Sequence, residues 1–179
     1  MQNQHPIRKI IRLKEYNYSQ SGAYFITICT NDRKQILSEI RRGDPCGRPE
    51  SELYPEIKTI LSELGKICDE KIDYISDKYN ITIPKYTIMP NHIHMLILIE
   101  YQSRATARVA PTIGTIVGGY KSIVSIEWLK ICKTNNQIMG KIWQRSYNDH
   151  IIRNEQDYNI KWQYIDENPA KWVEDEYYK

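Results

Sequence analysis

A chain of 179 residues with 41% hydrophobic content and a formal net charge of +3 can bury the core of one domain, expected to span residues 1–179. No apolar run is long enough to cross a bilayer and the polar, basic N-terminus lacks the apolar segment of a signal peptide, so a cytoplasmic protein without a membrane partner is expected. Cys29, Cys46, Cys68 and Cys132 lie far apart with no C-x-x-C pair, which argues against a disulfide framework or a zinc ribbon.

The positive charge is concentrated at the front: residues 1–50 carry nine Lys and Arg against five acids, residues 51–100 five against eight. Residues 1–20 form a basic arm, in which Arg8, Lys9, Arg12 and Lys14 precede Tyr16 and Tyr18. This suits a segment that tracks a phosphate backbone, and equally a solvated terminus. Tyr24–Thr30 is β-branched and aromatic and runs into Asn31-Asp32, which predicts a strand closed by a turn. Ile57, Ile60, Leu61, Leu64, Ile67 and Cys68 recur at helical spacing behind Pro55, predicting a helix over about 55–70. Residues 81–89 read as a strand whose Pro84 belongs at its start or at a bulge, and Pro90-Asn91 turns it back into the apolar run 92–99. Thr112 is placed to cap a helix with Ile113, Ile116, Val117, Tyr120, Val124 and Ile131 along one face. Trp143 to Ile152 reads as a further extended segment. Asn154 caps a last helix that Asn168-Pro169 stops. This order of elements implies an α+β, ferredoxin-like sandwich, a small antiparallel sheet carrying helices on one side. Residues 41–52 and 101–111 read as loop insertions.

Two features of this plan carry chemistry. His92 and His94 are two apart on a strand, so both imidazoles project from one face and can share a divalent ion; the same pair also fits the solvated face of a half-buried strand. On the last helix Lys161, Tyr164 and Asn168 follow at spacings of three and four, so an ammonium, a phenol and an amide point together. A tyrosine packed beside Tyr158, Trp162 and Ile165, with Asn168 merely ending the helix, would give the same pattern.

M-P-N-H-I-H on a strand, W-Q-R-S-Y-N-D-H-I-I-R-N-E before the last helix and Y-I-D-E-N-P-A-K-W within and after it together resemble the REP-associated tyrosine transposases. These belong to the HUH endonuclease superfamily, and the likeness runs from about Tyr24 to Trp172. The resemblance implies metal-dependent cleavage and rejoining of single-stranded DNA at hairpin-forming palindromic repeats. Tyr164 would be the nucleophile, His92 and His94 the ligands of Mg²⁺ or Mn²⁺, and Asn168 the amide that completes the coordination. A free phenol with a pKa near ~10 is a poor nucleophile at neutral pH, so a cation and Lys161 are suited to favour its phenolate. No G-x-x-x-x-G-K-[ST] loop is present, in keeping with an exchange of phosphodiesters that needs no nucleotide.

Lys121, Arg145 and Arg153 are candidates for phosphates, and Trp143 and Tyr147 for unpaired bases, each also readable as an ordinary surface or core residue. Asn91 is read as the turn residue that positions the histidine strand, and His150 as a packed or solvated histidine rather than a proton carrier. Two other functions fit the same motifs: a replication-initiator or relaxase-type nickase, which the short chain disfavours, and a DNA-binding module that has lost cleavage. Either a monomer or a homodimer is compatible.

The loops G-D-P-C-G-R-P (43–49) and A-T-A-R-V-A-P (105–111) look foreign to the domain. Arg42–Pro49 can be back-translated into a near-perfect inverted repeat whose complementary strand, in another frame, encodes a peptide differing from 104–111 only at Ala107. Two opposed copies of a palindromic element inside the gene would give this pattern, as would chance similarity of loops built from Gly, Pro and Arg; a coding sequence unable to form those hairpins disposes of the first.

Overall fold

The computed structural model describes residues 21–42, 57–100 and 111–178. The basic arm, the loop at 43–49 with Cys46, and residues 105–110 of the second loop lie outside them.

The elements are β1 (Gly22–Cys29), β2 (Ser38–Arg42), β3 (Ile57–Leu61), α1 (Glu63–Tyr79), β4 (Thr82–Ile88), β5 (His92–Ile99), α2 (Ile113–Thr134), β6 (Asn148–Ile152) and α3 (Glu155–Glu167). The main sheet has the order β4-β5-β1-β6 with every neighbour antiparallel. With α1 after β1 and α2 after β5, this is the ferredoxin-like arrangement expected from the sequence. Pro84 sits where the register of β4 and β5 shifts, on an edge strand, because it lacks the N–H that a ladder requires.

Helices cover both faces of the sheet, which corrects the one-sided sandwich. Tyr24, Ile26, Ile28, Ile93, Met95, Ile97 and Ile99 point to one side, against Ile67, Cys68, Ile72 and Ile75 of α1 and Ile113, Ile116, Tyr120 and Val124 of α2. Phe25 and Leu96 point to the other, against Ile165 of α3, with Tyr158 and Trp162 beside them. This two-sided burial explains why β5 reads as an almost unbroken apolar run: only one of its eight residues is even half-exposed.

A second correction concerns the first helix. Ile57, Ile60 and Leu61 lie in β3, which pairs with β2 in a separate two-stranded sheet, and Arg41 and Arg42 belong to β2 rather than to a loop insertion. Helix α1 begins after Ser62, whose hydroxyl accepts from Gly65 N at 3.0 Å, and it buries Leu64, Ile67, Cys68, Ile72 and Ile75. Gly65 is required there, since a Cβ would run into the Leu37 carbonyl oxygen. Gly65→Ala is expected to lower unfolding free energy by about 1–3 kcal/mol. Around Gly118, in the interior of α2, nothing lies within 4 Å of a Cβ. Gly118→Ala is therefore expected to raise stability by about 0.5–1 kcal/mol. Urea titrations of the two variants read both signs.

Thr112 caps α2 and Asn154 caps α3, each side chain accepting from a backbone N–H three residues on, at 3.1 and 2.8 Å. Among the described residues no helix is long and apolar enough to cross a membrane. Cys29, Cys68 and Cys132 are buried and unbonded to one another, and burial pushes the Cys29 and Cys68 thiols up to about 11 and about 12, so they pack as inert small groups.

Candidate metal and nucleophile site

Antiparallel pairing places Thr27 of β1 opposite His94, and Cys29 opposite His92. Both imidazoles are buried on the α3 side of the sheet, their ring centroids 4.4 Å apart. His92 Nδ1 donates to Asn91 Oδ1 at 2.8 Å, and His94 Nδ1 lies 2.9 Å from Thr27 Oγ1. The Asn91 contact puts the His92 proton on Nδ1; Thr27 Oγ1 can accept from His94 Nδ1 in the same way, and in that tautomer both Nε2 lone pairs are left for the site. Burial depresses the basicity of both rings, His92 to about 4 and His94 well below its ordinary value, with the neighbouring positive charges of His92 and Lys161 adding to the effect at His94. Both are therefore neutral near pH 7, as metal ligands must be.

Asn168 caps the C-terminus of α3 and is almost wholly buried. Its Nδ2 donates to Asp175 Oδ2 at 2.5 Å, which turns Oδ1 the other way. Among the described residues, Nε2 of His92, Nε2 of His94 and Oδ1 of Asn168 are buried without a hydrogen-bond partner. Three orphaned acceptors at one place are costly unless a cation satisfies them. The donor set, two imidazole nitrogens and an amide oxygen, fits a divalent ion.

Tyr164 stands at the edge of this cluster. Its ring meets His94 edge-on with centroids 5.2 Å apart and Phe25 at 5.8 Å, and its hydroxyl donates weakly to Asp175 Oδ2 at 3.4 Å. Burial first, then the carboxylates of Asp175 and Glu176, push the phenol well above its usual range. Without a cation the phenolate is thus disfavoured. Lys161, with its ammonium 5.1 Å from the Phe25 ring centre, lines the same cleft of about 510 Å³ as Tyr164, Asn168 and His94.

The model of the IS200-like transposases matches residues 55–168. The chain belongs to the IS200-like transposase family. It is a DNA-binding transposase that acts in DNA transposition. An uncharacterized protein of Haemophilus influenzae is 34% identical to this transposase over 188 residues, covering 96% of this chain and 93% of that one. A REP-associated tyrosine transposase solved bound to a REP hairpin superposes with a TM-score of 0.58 at 18% identity, over 89% of this chain and 74% of that one. The second likeness is one of fold.

The remaining substrate candidates of the transposase divide. Lys121 is half-buried and donates to the carbonyls of Gln144 and Ser146 at 2.9 and 2.7 Å, and burial lowers its ammonium to about 8. Trp143 is buried against Tyr120. The expectation that these two are free for DNA is therefore corrected: both hold the segment before β6 onto α2. Tyr147 is half-buried at the edge of the same core, while Arg145 and Arg153 are exposed. His150 is exposed and pairs with Asp157 of α3 at 2.8 Å, bracing that helix against β6.

Sequence reasoning missed Thr27 and Asp175. Thr27 could have been found only by pairing β1 with the histidine strand; Asp175, beyond the helix-stopping Pro169, carries no periodic signal. Asn91 does more than turn the chain: it is fully buried, and its Nδ2 donates to Tyr177 O at 2.7 Å and more weakly to Arg33 O at 3.3 Å. Asn91→Ala strands the His92 N–H and the Tyr177 carbonyl, and an expected loss of roughly 2–4 kcal/mol is checked by chemical denaturation.

Proposed function

We propose that this transposase is a metal-dependent single-strand DNA transesterase acting at hairpin-forming repeats through a 5′-phosphotyrosine intermediate. The observation that carries the reading is the meeting of Tyr164 with three buried, unpartnered acceptors from β5 and the end of α3. The REP hairpin in the structural neighbour supports a hairpin as the substrate form.

His92, His94 and Asn168 would hold the cation, which would supply Lewis-acid polarisation of the scissile phosphate. Thr27 and Asn91 fix the ring orientations beforehand, so little reordering accompanies binding. The Tyr164 oxygen attacks phosphorus; a P–O bond to the tyrosine forms, the bond to the 3′ oxygen breaks, the phenolic proton is lost and the 3′ oxygen departs as a hydroxyl. Lys161 favours the phenolate and a flanking phosphate by its charge, and the exposed Arg145 and Arg153 contribute phosphate contacts further out. One phosphodiester replaces another, so a second 3′-hydroxyl can reverse the step and join a new strand. Tyr164 meets His94 of its own chain, which favours a site complete within a monomer.

Incubation of the full chain with labelled hairpin-bearing single strands and Mg²⁺ or Mn²⁺ is expected to give a protein–DNA adduct that survives denaturation. Tight binding without an adduct would instead identify a module that occupies repeats without cutting them.

A further inference from the structure

Beyond the last helix the chain folds back across the histidines. Trp172 and Tyr177 are buried over His92, with ring centroids 6.0 and 4.7 Å from its own. The strap is pinned at three places: Asn91 Nδ2 donates to Tyr177 O at 2.7 Å, Asn148 Nδ2 to the Tyr177 hydroxyl at 3.0 Å, and Arg33 to Glu176 O at 2.8 Å while its guanidinium stands 4.7 Å over the Tyr177 ring. Of the three carboxylates between Trp172 and Tyr177, namely Glu174, Asp175 and Glu176, such anchoring holds Asp175 beside both histidines at the mouth of the metal site. An Asp175 oxygen and one nitrogen from each of His92 and His94 all lie within 4.8 Å of one another.

Asp175 takes up donors there but no cation. Oδ1 accepts from Tyr177 N at 2.6 Å; Oδ2 accepts from Asn168 at 2.5 Å and weakly from Tyr164 at 3.4 Å. Among the described residues no lysine, arginine or histidine forms an ion pair with it. A carboxylate accepts only, so its bond to Asn168 Nδ2 also decides which way that amide faces and keeps Oδ1 towards the histidines. The three unpartnered buried acceptors beside it are the independent sign that the place is built for a cation rather than being a mere gathering of acids.

We infer that Asp175 is a further ligand of the divalent ion, delivered by the strap, so that cation capture and closure of residues 172–178 over His92 are one coupled event. The inference rests on the metal-dependent reading above. It adds the single anionic donor to an otherwise neutral set of two imidazoles and an amide, and ligand charge is the main lever on affinity for a hard divalent ion. Coupling is reciprocal: whatever factor the closed strap contributes to cation affinity, the cation returns to strap closure.

The test uses the full chain and Mn²⁺ alone, with no DNA. Isothermal titration is expected to show Asp175→Asn binding Mn²⁺ at least about tenfold more weakly than the wild type, whereas Glu174→Gln, which removes the same charge from the same cleft, stays within about twofold. In the wild type, Mn²⁺ should slow amide hydrogen exchange across residues 172–178, and Asp175→Asn should lose that protection; metal-free melting curves confirm that each variant is folded. Equal small losses in the two variants, or exchange in the strap that ignores Mn²⁺, overturn the inference. If His94→Ala abolishes binding while Asp175→Asn binds as the wild type does, the inference falls and the metal-dependent reading stands. A wild type that takes up no Mn²⁺ removes both.

Discussion

Tyr164→Phe is expected to eliminate the covalent protein–DNA adduct and to slow strand cleavage by at least about a thousandfold, with hairpin binding within about twofold of the wild type. The substitution removes one oxygen whose sole hydrogen-bond contact among the described residues is the weak one to Asp175 at 3.4 Å. The ring itself, set edge-on to Phe25 and His94, is retained, so neither the packing of α3 nor the cleft is disturbed. Loss of cleavage therefore reports chemistry and not folding. Single-turnover cleavage of an end-labelled strand, read on a denaturing gel, measures it. A variant that still forms the adduct at the wild-type rate would move the nucleophile elsewhere, and among the described residues Tyr177 is another phenol beside the histidines, its ring centroid 5.8 Å from that of His94. That residue is buried and its hydroxyl accepts from Asn148, so it is poorly placed to reach a strand.

His94→Ala is expected to lower cleavage by roughly a hundredfold or more and to remove the thermal stabilisation that the wild type gains from Mn²⁺. His94 is buried, held by Thr27 and stacked on Phe25 at 5.0 Å, and alanine removes its nitrogen from the site. The same burial has a consequence for the metal-free protein. Folded-state values are depressed, to about 4 for His92 and further for His94, whereas an unfolded histidine titrates near ~6.5. The unfolded chain therefore binds more protons as pH falls below that range, so the imidazoles destabilise the fold progressively from about pH 6.5 down towards about pH 4 and leave it unaffected above. Urea midpoints should be lower at pH 5 than at pH 7 in the wild type without metal, and the difference should shrink in His94→Ala. A midpoint indifferent to pH across this window would contradict the burial of neutral rings.

The main sheet was legible because its signals are local. Strand periodicity, the turn at Pro90-Asn91 and the caps at Thr112 and Asn154 each depend on a few neighbouring residues, and all lie where expected. The failure at residues 57–61 has the opposite cause. Ile57, Ile60, Leu61 and Leu64 match a helical stripe, but the first three are held in β3 by pairing with residues 38–42, a partner that no local pattern reveals. Ser62 was the available signal, a capping residue ahead of the true apolar stripe at Leu64, Ile67, Cys68, Ile72 and Ile75. Lys121 and Trp143 were misjudged for a related reason. Whether a lysine is free depends on which carbonyls converge on it, and those of Gln144 and Ser146 arrive from more than twenty residues away.

The amino-acid order alone determined two half-sites. A period of two aligns His92 with His94, and helical spacing aligns Lys161, Tyr164 and Asn168, because a side chain's direction along a regular element follows from backbone geometry. Only the tertiary structure decided that the halves face each other. That depends on α3 burying Ile165 against Phe25 and Leu96, on the face of the sheet that α1 and α2 leave uncovered, and on a strap that sets Asp175 beside both. Those contacts join residues far apart in the chain, and their geometry is chosen by burial of the whole surface rather than by any short run of it.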